Sequence, residues 1–284
     1  MYKEIALVVC DINAAIEKYR AFDEPIPYKD LLIYPIKSRD YYRFMPSLTV
    51  FDIQKNRIPD IQIIQMSYLQ FLFGLILNDI GWREKFITIM CLCFGVEEIN
   101  CENNRIKRGA FWNELGKDGE LIFHLNGYDI DFIDIDGLLK IKIKGCELDS
   151  SDFDTINKYI HYQNIYDYFD EFVNDDVREI VEKYYSMRNK GIKPPTFEEK
   201  VLSVMSELGI VKSQVANMTM ISVEQIFHIA IRRTDYVVEH NYRAHAMTDK
   251  KLPDIEHWAY KTNKERFSEV FVNAESFTKS NQSV

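Results

Sequence analysis

Between residues 121 and 144 the chain changes period, and that change constrains the fold more than any other feature. Leu121-Ile-Phe-His-Leu is followed by Asn126-Gly127 and then by Tyr128-Asp-Ile-Asp-Phe. β-forming residues flank an Asn-Gly pair, whose readiness for positive φ suits the type I′ turn of a two-residue hairpin. Asp136-Gly137 marks a second turn. Leu139-Lys-Ile-Lys-Ile-Lys then alternates strictly, so one face is apolar and the other carries three lysines. The period predicts a small antiparallel sheet with one wet face, within about residues 95–148.

On both sides the spacing is helical. Residues 60–94 hold apolar clusters broken near Asn78-Asp79 and Gly81, which predicts an αα-hairpin. Before it, Asp11–Phe22 has helical spacing, Leu31–Ile36 reads as an edge strand closed by Pro35, and Ser38 stands as an N-cap. After the sheet, Ser151 with Asp154 opens a helix to about Gln163, and Asp175–Lys190 forms another. Thr196-Phe-Glu-Glu199 is a capping box for a helix ending at Gly209. Ser222 to about Met247 forms a long helix, Pro253 breaks the chain, and the tail from Ser276 is polar. The expected class is therefore α+β, mainly α-helical, with the antiparallel β insertion between helical parts. The expected division is residues 1–94, 95–148 and 149–284.

Composition narrows the function. The 284 residues are 46% hydrophobic with few Gly and Pro, so a packed core is expected and global disorder is not. The net charge of −9 disfavours phosphate-driven binding to nucleic acid or membrane surfaces. Five cysteines without a CxxC pair fit reduced core thiols better than a disulfide framework. Ile5–Cys10 is too short an apolar run for a signal peptide, and charges interrupt the apolar residues 68–94 before they reach membrane-spanning length.

No constellation carries chemistry. Cys91, Cys93 and Cys101 lack zinc spacing and a nearby His. With Gly137 as the sixth position of a calcium loop, the first is Phe132 and the twelfth Ile143, so that register fails at both ends. Asp129 and Asp131 are instead expected to face lysines of the next strand. His240 and His245 are five apart and lie on different helix faces. The reading is non-enzymatic, with no catalytic residue, cofactor or metal. Residues 201–231 resemble a helix-turn-helix, which makes a regulatory nucleic-acid-binding protein the alternative. The would-be recognition helix starts with Ser222, Val223, Glu224 and Gln225, a poor set for reading bases. Aromatic residues, 13% of the chain, cluster near element ends, and Trp258, Tyr260, Tyr166 and Tyr168 are the candidate partner-binding anchors.

Four stretches carry a resemblance: Tyr34-Pro-Ile-Lys-Ser-Arg-Asp-Tyr-Tyr-Arg-Phe, Ile64-Gln-Met-Ser-Tyr-Leu-Gln-Phe-Leu, His161-Tyr-Gln-Asn and Ile255-Glu-His-Trp. They resemble proteins from the tail-morphogenesis regions of bacteriophages that infect Gram-positive bacteria, in patches over about two thirds of the chain. Leu202–Ile231 also resembles the helical half of phage tail assembly chaperones. The resemblance implies a tail assembly chaperone or a built-in baseplate or tail component. Its partners would be other tail proteins, such as the tape measure. Its place would be the host cytoplasm during assembly and, for a built-in component, the virion.

Overall fold

A computed structural model describes residues 16–53, 55, 58–101, 105–117, 119–166, 168, 183 and 193–245. One compact unit comprises Met1–Tyr168 with Ser213–Ser222, the other Phe169–Lys212 with Val223–Val284. The fold is α+β and predominantly helical, with a five-stranded antiparallel sheet between helical parts.

The described part of the first unit opens with helical residues 16–21, within the helix expected over Asp11–Phe22, and a two-stranded hairpin follows, β1 (Ile26–Tyr28) and β2 (Leu31–Ile33). β1 was not expected, because Pro25 and Pro27 read as helix breakers. Pro27 lies in a two-stranded ribbon, which tolerates a missing donor. Ser38 does not cap a helix: it lies in a short 3-10 turn, and its hydroxyl donates to the Val215 carbonyl. Helix α1 (Tyr41–Leu48) follows.

The apolar stretch 60–94 divides once more than its periodicity predicts, into α2 (Ile61–Gln65), α3 (Tyr68–Asn78) and α4 (Ile80–Phe94). Ser67 and Gln70 form a capping box that starts α3 afresh after Met66. Lys55 Nζ donates to the Ile64 and Met66 carbonyls, both at 2.7 Å, and so closes the end of α2. Asp79 alone joins α3 to α4 and accepts from the Gly81 and Trp82 amides.

The sheet runs in chain order: β3 (Phe111–Leu115), β4 (Leu121–Leu125), β5 (Ile130–Ile135), β6 (Leu138–Ile143) and β7 (Cys146–Leu148). Its inner face packs on α3 and α4 through aromatic rings. The Phe132 ring centroid lies 4.6 Å from Phe73, 5.9 Å from Phe86 and 5.8 Å from Phe111. The β4–β5 hairpin forms as expected, but its turn is of another type. Gly127 has φ +87° while Asn126 is not among the residues with positive φ, the pattern of a type II turn. Type I′ pairs of positive φ fall instead at Asp136-Gly137 and Lys144-Gly145. Asn126 is almost fully buried because the chain folds over it: its side chain donates to the Ile106 carbonyl and its amide to that of Ala110.

Helix α5 (Ser150–Asn164) starts at a box made by Asp149 and Asp152, not by Ser151 and Asp154, since β7 ends at Leu148 and leaves Asp149 extended. Its last turn is a buried polar hub. Asn164 Oδ1 accepts from the Ile36 amide at 2.8 Å, Gln163 Nε2 donates to the Glu24 carbonyl at 2.8 Å, and His161 Nε2 lies 2.8 Å from Asp52 Oδ1. Arg20 reaches the Ile165 and Tyr166 carbonyls and lies over the Tyr162 ring.

The remaining helices are α6 (Phe197–Leu208), α7 (Lys212–Asn217) and α8 (Met220–His245). The Thr196–Glu199 box starts α6, its hydrogen bonds hold the Glu199 carboxyl below its ordinary range, and Gly209 at φ +64° ends the helix. In the first unit the start of α8 is tied to Asp23, which accepts from the Thr219 and Ser222 hydroxyls at 2.5 and 2.7 Å. That anchor moves the helix start two residues before the expected Ser222. In the second unit α6 and α8 are linked by Lys200–Glu224 at 2.8 Å and Arg233–Glu207 at 2.6 Å. Of the expected helix at 175–190 the described residues include Lys183, which is helical, and the break at Pro253 and the polar tail lie outside the described residues.

Candidate functional site

The sheet's outer face lies outside the buried core of the fold. Alternation places Trp112, Glu114, Ile122, His124, Asp131, Ile133, Lys140, Lys142 and Glu147 on it, and none of these is buried. One cross-strand row reads Trp112, His124, Asp131, Lys142, Glu147. Asp131 does stand opposite a lysine, as its spacing predicted, but its carboxylate is taken by His124, with Oδ1 2.7 Å from Nδ1. The Trp112 ring stacks on the imidazole, with centroids 4.1 Å apart and planes at 24°.

This cluster has the orienting half of an acid–base relay and not the reacting half. Asp131 fixes the ring, but Nε2, the atom that would serve a nucleophile, faces Glu114 Oε1 at 3.3 Å. Neither His124 Nε2 nor Trp112 Nε1 has a hydrogen-bond partner among the described residues, although both atoms are shielded from water. The charges alternate in sign across the face, unlike a stripe that tracks phosphates. Among the described residues no group of three His, Cys, Asp or Glu side chains is placed to hold a metal ion.

A cleft of about 520 Å³ opens on α4 at the β4–β5 end of the sheet. Three of its charged groups, Arg83, Glu98 and Arg108, are engaged in structure. Arg83 donates to the Ile76 and Leu77 carbonyls, both at 2.7 Å, and lies over the Phe111 ring. Arg108 pairs with Glu98, and its side chain lies across Gly127. Burial, then the Glu98 charge, pushes the Cys91 thiol up, which makes it a poor nucleophile. Burial and Glu98 likewise raise the Tyr128 hydroxyl.

Of the anchors expected from sequence, two are described. The Tyr168 ring stacks on His161 with centroids 4.9 Å apart, and the Tyr166 carbonyl accepts from Arg20 at 3.0 Å. Both adjoin the hub at the end of α5. Trp258 and Tyr260 lie outside the described residues. Trp112 and His124 were missed by the sequence reading, although the alternation of 121–132 contained the signal: His124 and Asp131 fall on the polar side of facing strands. Ile36 and Asn164, which lie in two of the four stretches on which the expected resemblance rests, meet at the hub through the Ile36 amide.

Compared with known proteins, the chain matches no family model, no curated protein and no solved structure. Among the described residues no helix is long and apolar enough to cross a membrane.

Proposed function

We propose that this protein works by binding another protein, without catalysis, as an assembly or structural component of a bacteriophage tail or baseplate. The observation that carries the binding role is the outer face of the sheet, none of whose described residues is buried. A Trp stacked on a carboxylate-fixed His is a rigid aromatic anchor, Ile122 and Ile133 supply apolar contact beside it, and charges form the rim. The phage-tail setting rests on the sequence resemblance, which points to a tape measure or baseplate protein as partner. The work is placed in the host cytoplasm during assembly and, for a built-in component, in the virion.

The nucleic-acid reading gains no support from the start of α8. Met220 and Ile221 are buried and the Ser222 hydroxyl is bonded to Asp23, so the turn that would enter a groove faces the protein interior. Co-expression with each protein encoded beside it, followed by calorimetry on any complex, tests the proposal. A tail protein should bind, and Trp112→Ala should weaken that binding by roughly 2 kcal/mol with the melting temperature nearly unchanged. Failure of every tail protein to bind, or DNA binding with a steep salt dependence, would overturn it.

A further inference from the structure

The two edges of the five-stranded sheet are protected differently. β7 is three residues long, carries Glu147 and runs almost directly into α5, so it is short, charged and closely followed by a helix. β3 is five residues long and has no Lys, no Pro and an unbroken register with β4. Its one charge is Glu114. Asn126 N donates to Ala110 O at 3.0 Å and Gly116 N to Glu120 O at 2.8 Å, which fixes the phase of the β3–β4 ladder. Bonded and non-bonded pairs alternate in such a ladder. Trp112 and Glu114 therefore direct their backbone groups toward β4, while Phe111, Asn113 and Leu115 direct theirs outward. Among the described residues nothing pairs with that outer edge, and Leu115 is 74% exposed.

We infer that β3 pairs antiparallel with β3 of a second copy of this chain, about a two-fold axis at Asn113. The axis sets Phe111 against Leu115 of the second copy, Asn113 against its own counterpart, and Leu115 against Phe111. Each outward N–H then meets an outward carbonyl. Paired residues share a face, so the exposed Leu115 covers Phe111 of the second copy and extends the apolar inner side. Glu114 falls opposite Trp112. An axis at Glu114 would bring two carboxylates face to face, and one at Trp112 would leave Leu115 outside the pairing. The contact is isologous and uses up the unprotected edge, so it closes at a dimer. It also joins the two outer faces into one continuous surface.

Sedimentation velocity and amide hydrogen exchange on the full chain test this. The protein should sediment as a monomer near 1 μM, roughly, and move toward a dimer by about 200 μM. Over that range the amides of Phe111, Asn113 and Leu115 should slow at least about tenfold, while those of Trp112 and Glu114 stay as they were. Asn113→Pro removes an outward N–H from an edge position, where Pro is tolerated, and should keep the protein monomeric. Leu115→Lys changes an exposed side chain, leaves folding intact and should do the same. A monomer at every concentration would overturn the inference, as would a dimer without slowed β3 amides or a dimer unaffected by both variants. Slowing that appears solely on adding a different protein would also overturn it, since the edge would then take a partner's strand.

Discussion

His161 and His124 share their local chemistry and differ in reach. Each lies within hydrogen-bond distance of a carboxylate, at 2.8 and 2.7 Å, and each stacks on an aromatic ring, Tyr168 and Trp112 respectively. The Asp52 partner of His161 is 109 residues away in sequence, and the adjacent Gln163 and Asn164 reach Glu24 and Ile36. The Asp131 partner of His124 is seven residues away, across one rung of a hairpin. The His161 side chain is 7% exposed and that of His124 is 17%. Where such a pair closes a long loop inside the protein, it contributes to the fold. Where it dresses the open side of a ladder that is already formed, the fold needs it little, and it is free to meet a partner.

The largest effect expected from this contrast comes from His161→Ala. The change removes both imidazole bonds, to Asp52 and to the Asn157 carbonyl, and opens a void beneath Phe51 and Tyr168. It should cost about 2–4 kcal/mol in a denaturant titration. His124→Ala should cost less than about 1 kcal/mol. Equal losses in the two variants would break the comparison.

Gly127→Val comes next, because it disturbs the hairpin that sets His124 against Asp131. Gly127 has φ +87°, and a Cβ there would lie 2.9 Å from Arg108 Cγ. A β-branched residue at positive φ, crowded by that side chain, should cost about 1–3 kcal/mol. The Arg108–Glu98 pair should loosen with it. A melting temperature equal to the parent's would show that the turn relaxes without strain. Trp112→Ala lies lower on the stability scale, within about 1 kcal/mol, and its main effect belongs to partner affinity.

The same contrast explains what the sequence could disclose. Period-2 alternation made the sheet legible, and the Thr196–Glu199 box and Gly209 made α6 legible to the residue, because those signals are local. The hub was not legible. Asn164 is buried to receive the Ile36 amide, and no spacing rule links residues 128 apart. Ser38 looked like a cap and became a donor to Val215 for the same reason: a tertiary partner outcompeted the local one. The turn type at Asn126-Gly127 was not legible because Ile99, Gly109 and Ala110 hydrogen-bond its backbone, contacts no local rule predicts. Of the outer face, the strands and their polar side were readable. The stacking of Trp112 on His124 was not, since it depends on the register of β3, a strand the alternation did not predict.

The smallest predicted effect tests the other end of the hub's own helix. At the start of α5, Asp152 accepts from the Asp149 amide at 3.0 Å and the Tyr28 hydroxyl at 2.8 Å, and it pairs with Lys29. Partial burial pushes its carboxyl up, but Lys29, the Asp149 amide and Tyr28 outweigh that and hold it below the ordinary carboxylate value. A depressed folded-state pKa gives stability that is present above the unfolded value, about 3.9, and lost as pH falls through the folded one. Asp152→Asn removes the charge and retains a side-chain oxygen suited to a helix start. At pH 7 it should destabilise by less than about 1 kcal/mol, because Lys29 is half exposed and its ion pair is screened. The gap between parent and variant should then shrink as pH falls below about 4, where the parent's carboxylate is protonated as well. Melting temperatures measured from neutral to strongly acidic pH decide it: a gap that stays constant would mean that the Asp152 hydrogen bonds, and not its charge, fasten this end of α5.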